Sequence, residues 1–337
     1  MMKTRVAING FGRIGRNAFK VAFERKDIEV VAINDLTDTK MLAHLLKYDS
    51  NYGNYPHKVS SDDKHVIVDD LKVPVFSERD PKDLPWKDVG VDVVIESTGF
   101  FVKSELAKAH VDAGAKRVVI SAPAKDDGAV TVVLGANESD LEGNSAVVYS
   151  NASCTTNSMA AVMDIMDREY GIEKAMMTTI HSYTADQKLQ DAPHGDYRRA
   201  RAAAQNIIPT TSGAAIAVAK TVPSLKGKFD GMAIRVPTSV VSISDITMVL
   251  KKDTTIKDIN AMLKKTCAEP YYQGIIDCTE EQLVSSDFIG NSHSGIIDLP
   301  STNVVDGDLV KVAVWYDNEW GFSNRLIELV ADIGKTL

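Results

Sequence analysis

The chain has 337 residues, enough for two domains and a large core, and an ordinary globular composition of 44% hydrophobic and 25% charged residues. Its net charge of −8 argues against broad nucleic-acid binding, which needs basic surface. Three cysteines, Cys154, Cys267 and Cys278, are too few for a disulfide framework. No Cys/His cluster has zinc-like spacing, so no metal is expected. No run approaches the roughly 18 apolar residues of a membrane-spanning helix. The apolar stretch near the N-terminus is too short for a signal peptide. A reducing cytoplasm is the simplest setting.

In chain order, the first half alternates short Val/Ile runs with amphipathic segments. Strands are expected at Thr4–Asn9, Val30–Asn34, Val91–Glu96, Arg117–Ser121 and Val130–Val133, and helices at Ile14–Glu24, Thr39–Tyr48 and Ser104–Ala113. Continuous apolar strands covered by helices on both faces imply a parallel, doubly wound α/β sheet of the Rossmann type. Between Tyr52 and Trp86 the rhythm breaks, and Val66–Val68 and Val73–Phe76 around Asp69-Asp70 suggest an inserted hairpin.

Gly10-Phe11-Gly12-Arg13-Ile14-Gly15 fits G-x-G-x-x-G between the first strand and the first helix, the context that raises this motif above chance. The first glycine permits the turn, the second lets backbone approach a pyrophosphate, and the third lets helix and strand pack closely. Asp35 follows Gly15 by 20 residues, at the end of the second strand. A carboxylate there accepts hydrogen bonds from adenosine ribose hydroxyls and repels a 2′-phosphate, which favours NAD over NADP. Arg79 and Ser121 are weaker candidates on the adenine side, and Thr98-Gly99 is a backbone approach point.

After this half, Ser153-Cys154-Thr155-Thr156-Asn157 precedes an apolar run with helical spacing that ends near Tyr170. Cys154 is therefore expected at a helix N-terminus, where the dipole favours a thiolate. His181 follows 27 residues later, so the pair suggests covalent catalysis; a buried, inert cysteine is the competing reading. Longer strands at Ala175–His181, Met232–Pro237, Val240–Leu250 and Val310–Trp315 imply an α+β second domain with a mixed or antiparallel sheet. Thr184, Arg198, Arg199, Arg201, Thr210-Thr211-Ser212-Gly213 and Arg235 are candidate anion ligands; each alone also reads as a cap or a solvated surface group. Ser323–Ile333 reads as a helix that packs on the first domain.

Together, Ile8–Arg16, Asn34-Asp35, Glu96–Gly99, Ser121–Pro123, Asn151–Asn157, His181–Thr184 and Trp315–Glu319 resemble phosphorylating glyceraldehyde-3-phosphate dehydrogenases, nearly end to end. The resemblance implies a dinucleotide domain over 1–153 and 319–337 and a catalytic domain over 154–318. It implies oxidation of glyceraldehyde 3-phosphate with NAD and inorganic phosphate to 1,3-bisphosphoglycerate through a cysteine thioester, a step of glycolysis or gluconeogenesis. Cys154 matches the nucleophile and His181 the base, with an imidazolium at His181 expected to help activate the thiol. Thr184 and Arg235 match the site for the substrate phosphate; Ser153, Thr155, Ser212 and Gly213 match the site for inorganic phosphate, with Arg199 at one of the two. Asn318 matches the residue that holds the nicotinamide carboxamide. A homotetramer in the cytoplasm is implied by the same likeness, with no membrane or nucleic-acid partner.

Four positions depart from the family pattern. Ser212 replaces a common threonine, Phe322 a common tyrosine, and Trp320 a smaller residue in some members. Ala192-Pro193 stands where many strictly NAD-dependent members have Leu-Pro, which leaves room for NADP. Two rival readings remain at this stage: a non-phosphorylating relative acting on erythrose 4-phosphate with water as acceptor, and a nucleotide-binding regulatory or RNA-interacting protein.

Overall fold

A computed structural model describes residues 3–337. The chain divides into two compact units, one formed by residues up to Val132 with Ser139–Ala152 and Ser323–Leu337, the other by Val133–Glu138 and Ser153–Phe322.

The first unit is built on a nine-stranded sheet. Thr4–Asn9 lies between Ile28–Asn34 and Val93–Glu96, parallel to both, and the parallel run continues outward through Arg117–Ile120, Val148–Ser150 and Val130–Thr131. All but Val130–Thr131 are almost wholly buried, as their unbroken Val/Ile character requires when helices cover both faces. The chain leaves the central strand in one direction to Ile28–Asn34 and later returns on its other side at Val93–Glu96. That reversal opens a crevice at the carboxyl ends of the strands. The doubly wound Rossmann expectation is met.

The hairpin is present as His65–Val68 against Leu71–Phe76, antiparallel, with Asp69 in the left-handed region at φ 51°. Leu71–Phe76 also pairs with Ile28–Asn34, so the insertion extends the sheet. Several bounds differ from expectation. The second strand starts earlier, at Ile28, and the strand expected over Val130–Val133 is only Val130–Thr131. The helix expected over Ser104–Ala113 is two four-residue turns, Ser104–Ala107 and Ala109–Asp112, meeting at Lys108. Bonds from Leu106 N–H to Lys103 O and from Val111 N–H to Lys108 O tighten the backbone there. The C-terminal helix, Trp320–Lys335, runs beyond the expected bounds. Its Gly334 lies so close to Thr4 that a Cβ would sit 2.1 Å from the threonine hydroxyl.

The second unit carries a seven-stranded mixed sheet in the order Ile208–Thr211, Phe229–Val236, Ile172–Ser182, Ser242–Leu250, Leu309–Tyr316, Gly295–Val305, Ile276–Thr279. The Cys154–Tyr170 helix is buried at every position from Thr155 to Met163, so it acts as a central helix against this sheet. Register places His181 beside Arg235 on adjacent parallel strands, and Ser242 beside Tyr316 on adjacent antiparallel strands. No described helix is long and apolar enough to cross a membrane.

Candidate functional site

In the first unit, Asn9, Gly10, Gly12, Asn34, Asp35, Arg79, Thr98 and Phe100 line a crevice of ≈ 530 Å³. Gly10 adopts φ +90°, and a Cβ on it would meet the Ser97–Thr98 backbone at 2.8 Å. On Gly15 a Cβ would lie 2.1 Å from Gly10 O, whereas on Gly12 it would meet nothing within 4 Å. The first and third glycines thus close the turn and seat the helix, and the second leaves backbone open to a ligand. Gly12→Ala is expected to fold normally and weaken NAD binding. Gly15→Ala is expected to lose about 1–3 kcal/mol through overpacking. Thermal unfolding beside NAD titration separates the two; equal destabilisation by both would contradict these roles.

Asp35 accepts the Phe11 amide at 2.8 Å and the Thr37 amide at 3.0 Å, so it ties the glycine turn to the end of the second strand. It is not the cap of the next helix, since Asp38 fills that position. Phe11 is buried against Phe19, and Arg13 donates to Asp49 at 2.7 Å. Ile14, half-buried, stands beside Gly15 in the first helix. Gly99 and Ser121 do not line the crevice; Leu36, Phe100 and Phe101, absent from the sequence-derived set, do.

Beneath Thr98 lies a buried polar network that the sequence did not announce. Glu96 accepts the Thr98 amide at 2.8 Å, the Thr98 hydroxyl, and Asn9 Nδ2 at 2.5 Å. Trp86 Nε1 donates to His110 Nδ1 at 3.0 Å. His110 Nε2 therefore carries the proton that faces Glu96, also at 3.0 Å. Asn34 Nδ2 bonds Asn9 Oδ1 at 2.7 Å, which fixes the ends of the first two strands together.

In the second unit, Cys154 opens the central helix. Ser153 is its N-cap, accepting the Thr156 amide at 3.0 Å, and Ala152 before it is held at φ 55°, a left-handed conformation that turns the chain sharply into the helix. Cys154 Sγ lies 3.5 Å from His181 Nε2. The other ring nitrogen, Nδ1, sits 2.7 Å from Ser182 O and 2.8 Å from Arg235 Nη1. Arg235 also donates to Ser182 O at 2.9 Å and to Thr184 Oγ1 at 3.3 Å. Thr184 bonds Asp186, which accepts Arg199 Nη1 at 2.8 Å. Arg199 in turn reaches Thr210 Oγ1 at 3.0 Å and Thr211 O at 3.4 Å. A continuous chain of polar contacts therefore links the thiol to both arginines and to Thr210 and Thr211 at the end of the Ile208–Thr211 strand.

Other expected anion ligands are committed locally. Thr155 Oγ1 bonds Tyr316 OH at 2.9 Å, and Tyr316 OH bonds Thr179 Oγ1 at 2.8 Å. Ser212 Oγ accepts the Ala214 amide at 3.2 Å, and Gly213 is the N-cap of the Ala214–Thr221 helix. Ser212 faces a surface hollow of ≈ 810 Å³ shared with Arg198 and Thr211. Asn318 is buried and accepts from Ser242 Oγ at 3.1 Å. Tyr316 was absent from the expected site set; its ring packs edge-on to His181, centroids 5.9 Å apart.

The electrostatics correct two expectations. Burial and the Arg235 cation push His181 down to about 3, so the imidazole is neutral, not a standing imidazolium. Burial outweighs the pull of Arg235 and of the Thr155 hydroxyl and amide and holds the Cys154 thiol above its ordinary value, so the thiolate expected at this helix terminus is not favoured in the free protein. Arg235, not His181, is the cation that a Cys154 thiolate feels. Burial works against the Asp186 carboxylate, but Thr184 and Arg199 hold it below the ordinary carboxylate value.

A neutral buried histidine has a stability signature. The folded value of about 3 is depressed below the unfolded 6.5. As pH falls through that window the unfolded chain takes up a proton that the folded chain refuses, so stability is lost, at up to about 1.4 kcal/mol per unit. His181→Asn should flatten this part of the urea-midpoint profile between pH 7 and 4; an unchanged slope would place the lost stability elsewhere.

Both ends of the chain match known families. Residues 4–104 match the family described as glyceraldehyde 3-phosphate dehydrogenase, NAD binding domain, and residues 153–318 match glyceraldehyde 3-phosphate dehydrogenase, C-terminal domain. The chain is 52% identical to glyceraldehyde-3-phosphate dehydrogenase of Geobacillus stearothermophilus, over 99% of each. It is 51% identical to glyceraldehyde-3-phosphate dehydrogenase 1 of Bacillus subtilis (strain 168), over 99% of each, and 51% identical to the Mycobacterium avium enzyme over 100% of each. With a glycine-lined crevice in one unit, a thiol–imidazole pair in the other and this likeness along its whole length, the chain belongs to the glyceraldehyde-3-phosphate dehydrogenase family.

Proposed function

We propose that the chain oxidises glyceraldehyde 3-phosphate to 1,3-bisphosphoglycerate with NAD and inorganic phosphate, a glycolytic or gluconeogenic step, and that Cys154 carries the acyl group. The observation that carries this reading is the 3.5 Å Cys154–His181 contact at a helix N-terminus, flanked by Arg235 and Thr184. The crevice suits a dinucleotide: Gly12 leaves its backbone open, and Asp35 lines it with a carboxylate able to accept from ribose hydroxyls. Gly10, Gly12, Asp35, Arg79 and Thr98 are proposed to hold it, with Asn318 for the carboxamide. When bound, NAD supplies the acceptor for the hydride that leaves the substrate carbon.

The protein's own groups account for the remaining steps. Cys154 Sγ adds to the aldehyde carbon, its proton passing to the new oxygen by way of His181, and gives a hemithioacetal. Arg235 and Thr184 hold the substrate phosphate. That dianion offsets the Arg235 charge beside His181 Nδ1, so substrate binding raises the basicity of the imidazole where a base is needed. His181 then accepts the hydroxyl proton as the thioester forms; positioned base catalysis of this kind contributes about 10²–10⁴ in rate. Inorganic phosphate attacks the thioester from a site to which Arg199 and the turn at Ser212 and Gly213 contribute. The Ser153 and Thr155 hydroxyls are engaged elsewhere, so these two residues are proposed to act through the backbone of the helix terminus.

The outer face of the second sheet exposes Met176 at 71% and frames a hollow of ≈ 670 Å³ with Met232 and Leu309. This apolar surface supports assembly into the proposed homotetramer, which sedimentation would test. The free thiols at Cys154, Cys267 and Cys278 support residence in a reducing cytoplasm. The decisive assay is steady-state turnover of glyceraldehyde 3-phosphate, with NAD against NADP and with phosphate against none. Turnover that ignores phosphate would reject the acyl-phosphate product.

A further inference from the structure

Away from both sites, two further thiols are brought together. The Ile256–Cys267 helix turns a buried stripe of Ile259, Leu263, Thr266 and Cys267 inward. It packs against Ile276–Thr279, the terminal strand of the second sheet. Strand alternation places Cys278 on the same face as Ile276, which is 1% exposed, and turns Asp277 the other way. Lys264, nearly one turn before Cys267, bonds Glu280, two residues beyond Cys278, at 2.8 Å. The two elements thus pack side by side, and the two thiols are close enough for each to shift the other's titration. Cys267 is buried, Cys278 is half-buried, and neither is in a disulfide.

The two sulfurs differ in chemistry. The hydrogen bond from Cys267 pulls the Cys278 thiol below its ordinary value, and Lys264 adds to this, against burial and the Asp277 and Glu280 carboxylates. Contact with Cys278 and burial push Cys267 up. A half-buried thiol of lowered pKa beside a buried thiol of raised pKa is the arrangement of a redox-sensing pair.

We propose that Cys267 and Cys278 form a reversible disulfide in response to hydroperoxides, with Cys278 attacking and Cys267 resolving. The Cys278 thiolate attacks the terminal peroxide oxygen; an S–O bond forms, the O–O bond breaks, and the departing alkoxide or hydroxide takes a proton. Cys267 sulfur then attacks the Cys278 sulfenic acid; the S–S bond forms, the S–O bond breaks, and water leaves with the Cys267 proton. In sum, two thiols and one hydroperoxide yield a disulfide, water and an alcohol (a second water for hydrogen peroxide). A dithiol reductant reverses the change.

Trypsin releases both cysteines on one peptide, Thr266–Lys311, which contains no other Lys or Arg, while Cys154 lies on another. The full-length protein is treated with hydrogen peroxide, alkylated, digested and weighed. The expected product is a Thr266–Lys311 peptide lighter by two hydrogens, carrying no alkyl group, and restored to double alkylation by dithiothreitol. In Cys267→Ser, Cys278 should accumulate as sulfenic acid, captured by dimedone. In Cys278→Ser, Cys267 should stay alkylatable. Double alkylation of this peptide at a peroxide dose that has consumed Cys154 would overturn the proposal. So would Cys278 sulfinic acid beside an unreacted Cys267. The wild-type measurement decides the matter even if a variant fails to fold.

Discussion

Cys154→Ser is expected to lower aldehyde oxidation by at least about 10⁴-fold, because a nucleophile acting as one unit with its base is not partly replaceable. The loss has two origins. A serine hydroxyl is a far weaker nucleophile than a thiol beside the same neutral imidazole, and an oxygen ester would not pass its acyl group to phosphate as a thioester does. The substitution should leave the scaffold intact. Ser153 caps the helix through its own hydroxyl, and Tyr316 is held by Thr155 and Thr179, so neither contact involves Sγ. Cys154 does not line the crevice proposed for NAD, so NAD affinity should stay near normal. Stopped-flow hydride transfer and an NAD titration on one preparation test both halves. Substantial residual oxidation would remove Cys154 from the nucleophile role, and a parallel loss of NAD binding would mean that the substitution acts on the fold.

The parts legible in the sequence were those set by local rules. Continuous Val/Ile strands announced a sheet buried on both faces, and the glycine spacing announced a turn whose steric logic is visible at Gly10 and Gly15. Ser153 before an apolar periodic run announced the helix that begins at Cys154. Tertiary contacts decided the rest. The Ser104–Ala113 segment has the pattern of one helix, yet His110 is fully buried, bonded to Trp86 and Glu96, and the backbone tightens at Lys108. Glu96 reads as the last residue of a strand, and nothing in its neighbourhood predicts that it underpins Thr98. Tyr316 was visible only within the motif Trp315–Glu319, because its partners lie on other elements. The charge state of His181 was equally hidden: the register that sets Arg235 beside it joins residues 54 apart in the chain.

That register makes Arg235→Leu the most discriminating substitution for the origin of activation. Arg235 Nη1 lies 2.8 Å from His181 Nδ1 and 3.3 Å from Thr184 Oγ1, so one guanidinium faces the base and the proposed phosphate site together. Removing it takes a cation from the neighbourhood of Cys154, and iodoacetamide alkylation at neutral pH should slow. The same loss relieves His181 of repulsion, so the imidazole pKa should climb back toward its ordinary value, limited by burial. Substrate loses a charge-assisted hydrogen bond of about 1.5–3 kcal/mol, a fall of roughly 10–150-fold in kcat/KM. Most of this should appear in KM if Arg235 holds the phosphate equally before and during reaction. Arg235→Lys keeps the charge without the planar fork, so it should restore alkylation more fully than KM. If alkylation of Cys154 were unchanged in Arg235→Leu but slowed in His181→Asn, the activating cation would be the imidazolium after all, and the neutral state assigned to His181 would be wrong.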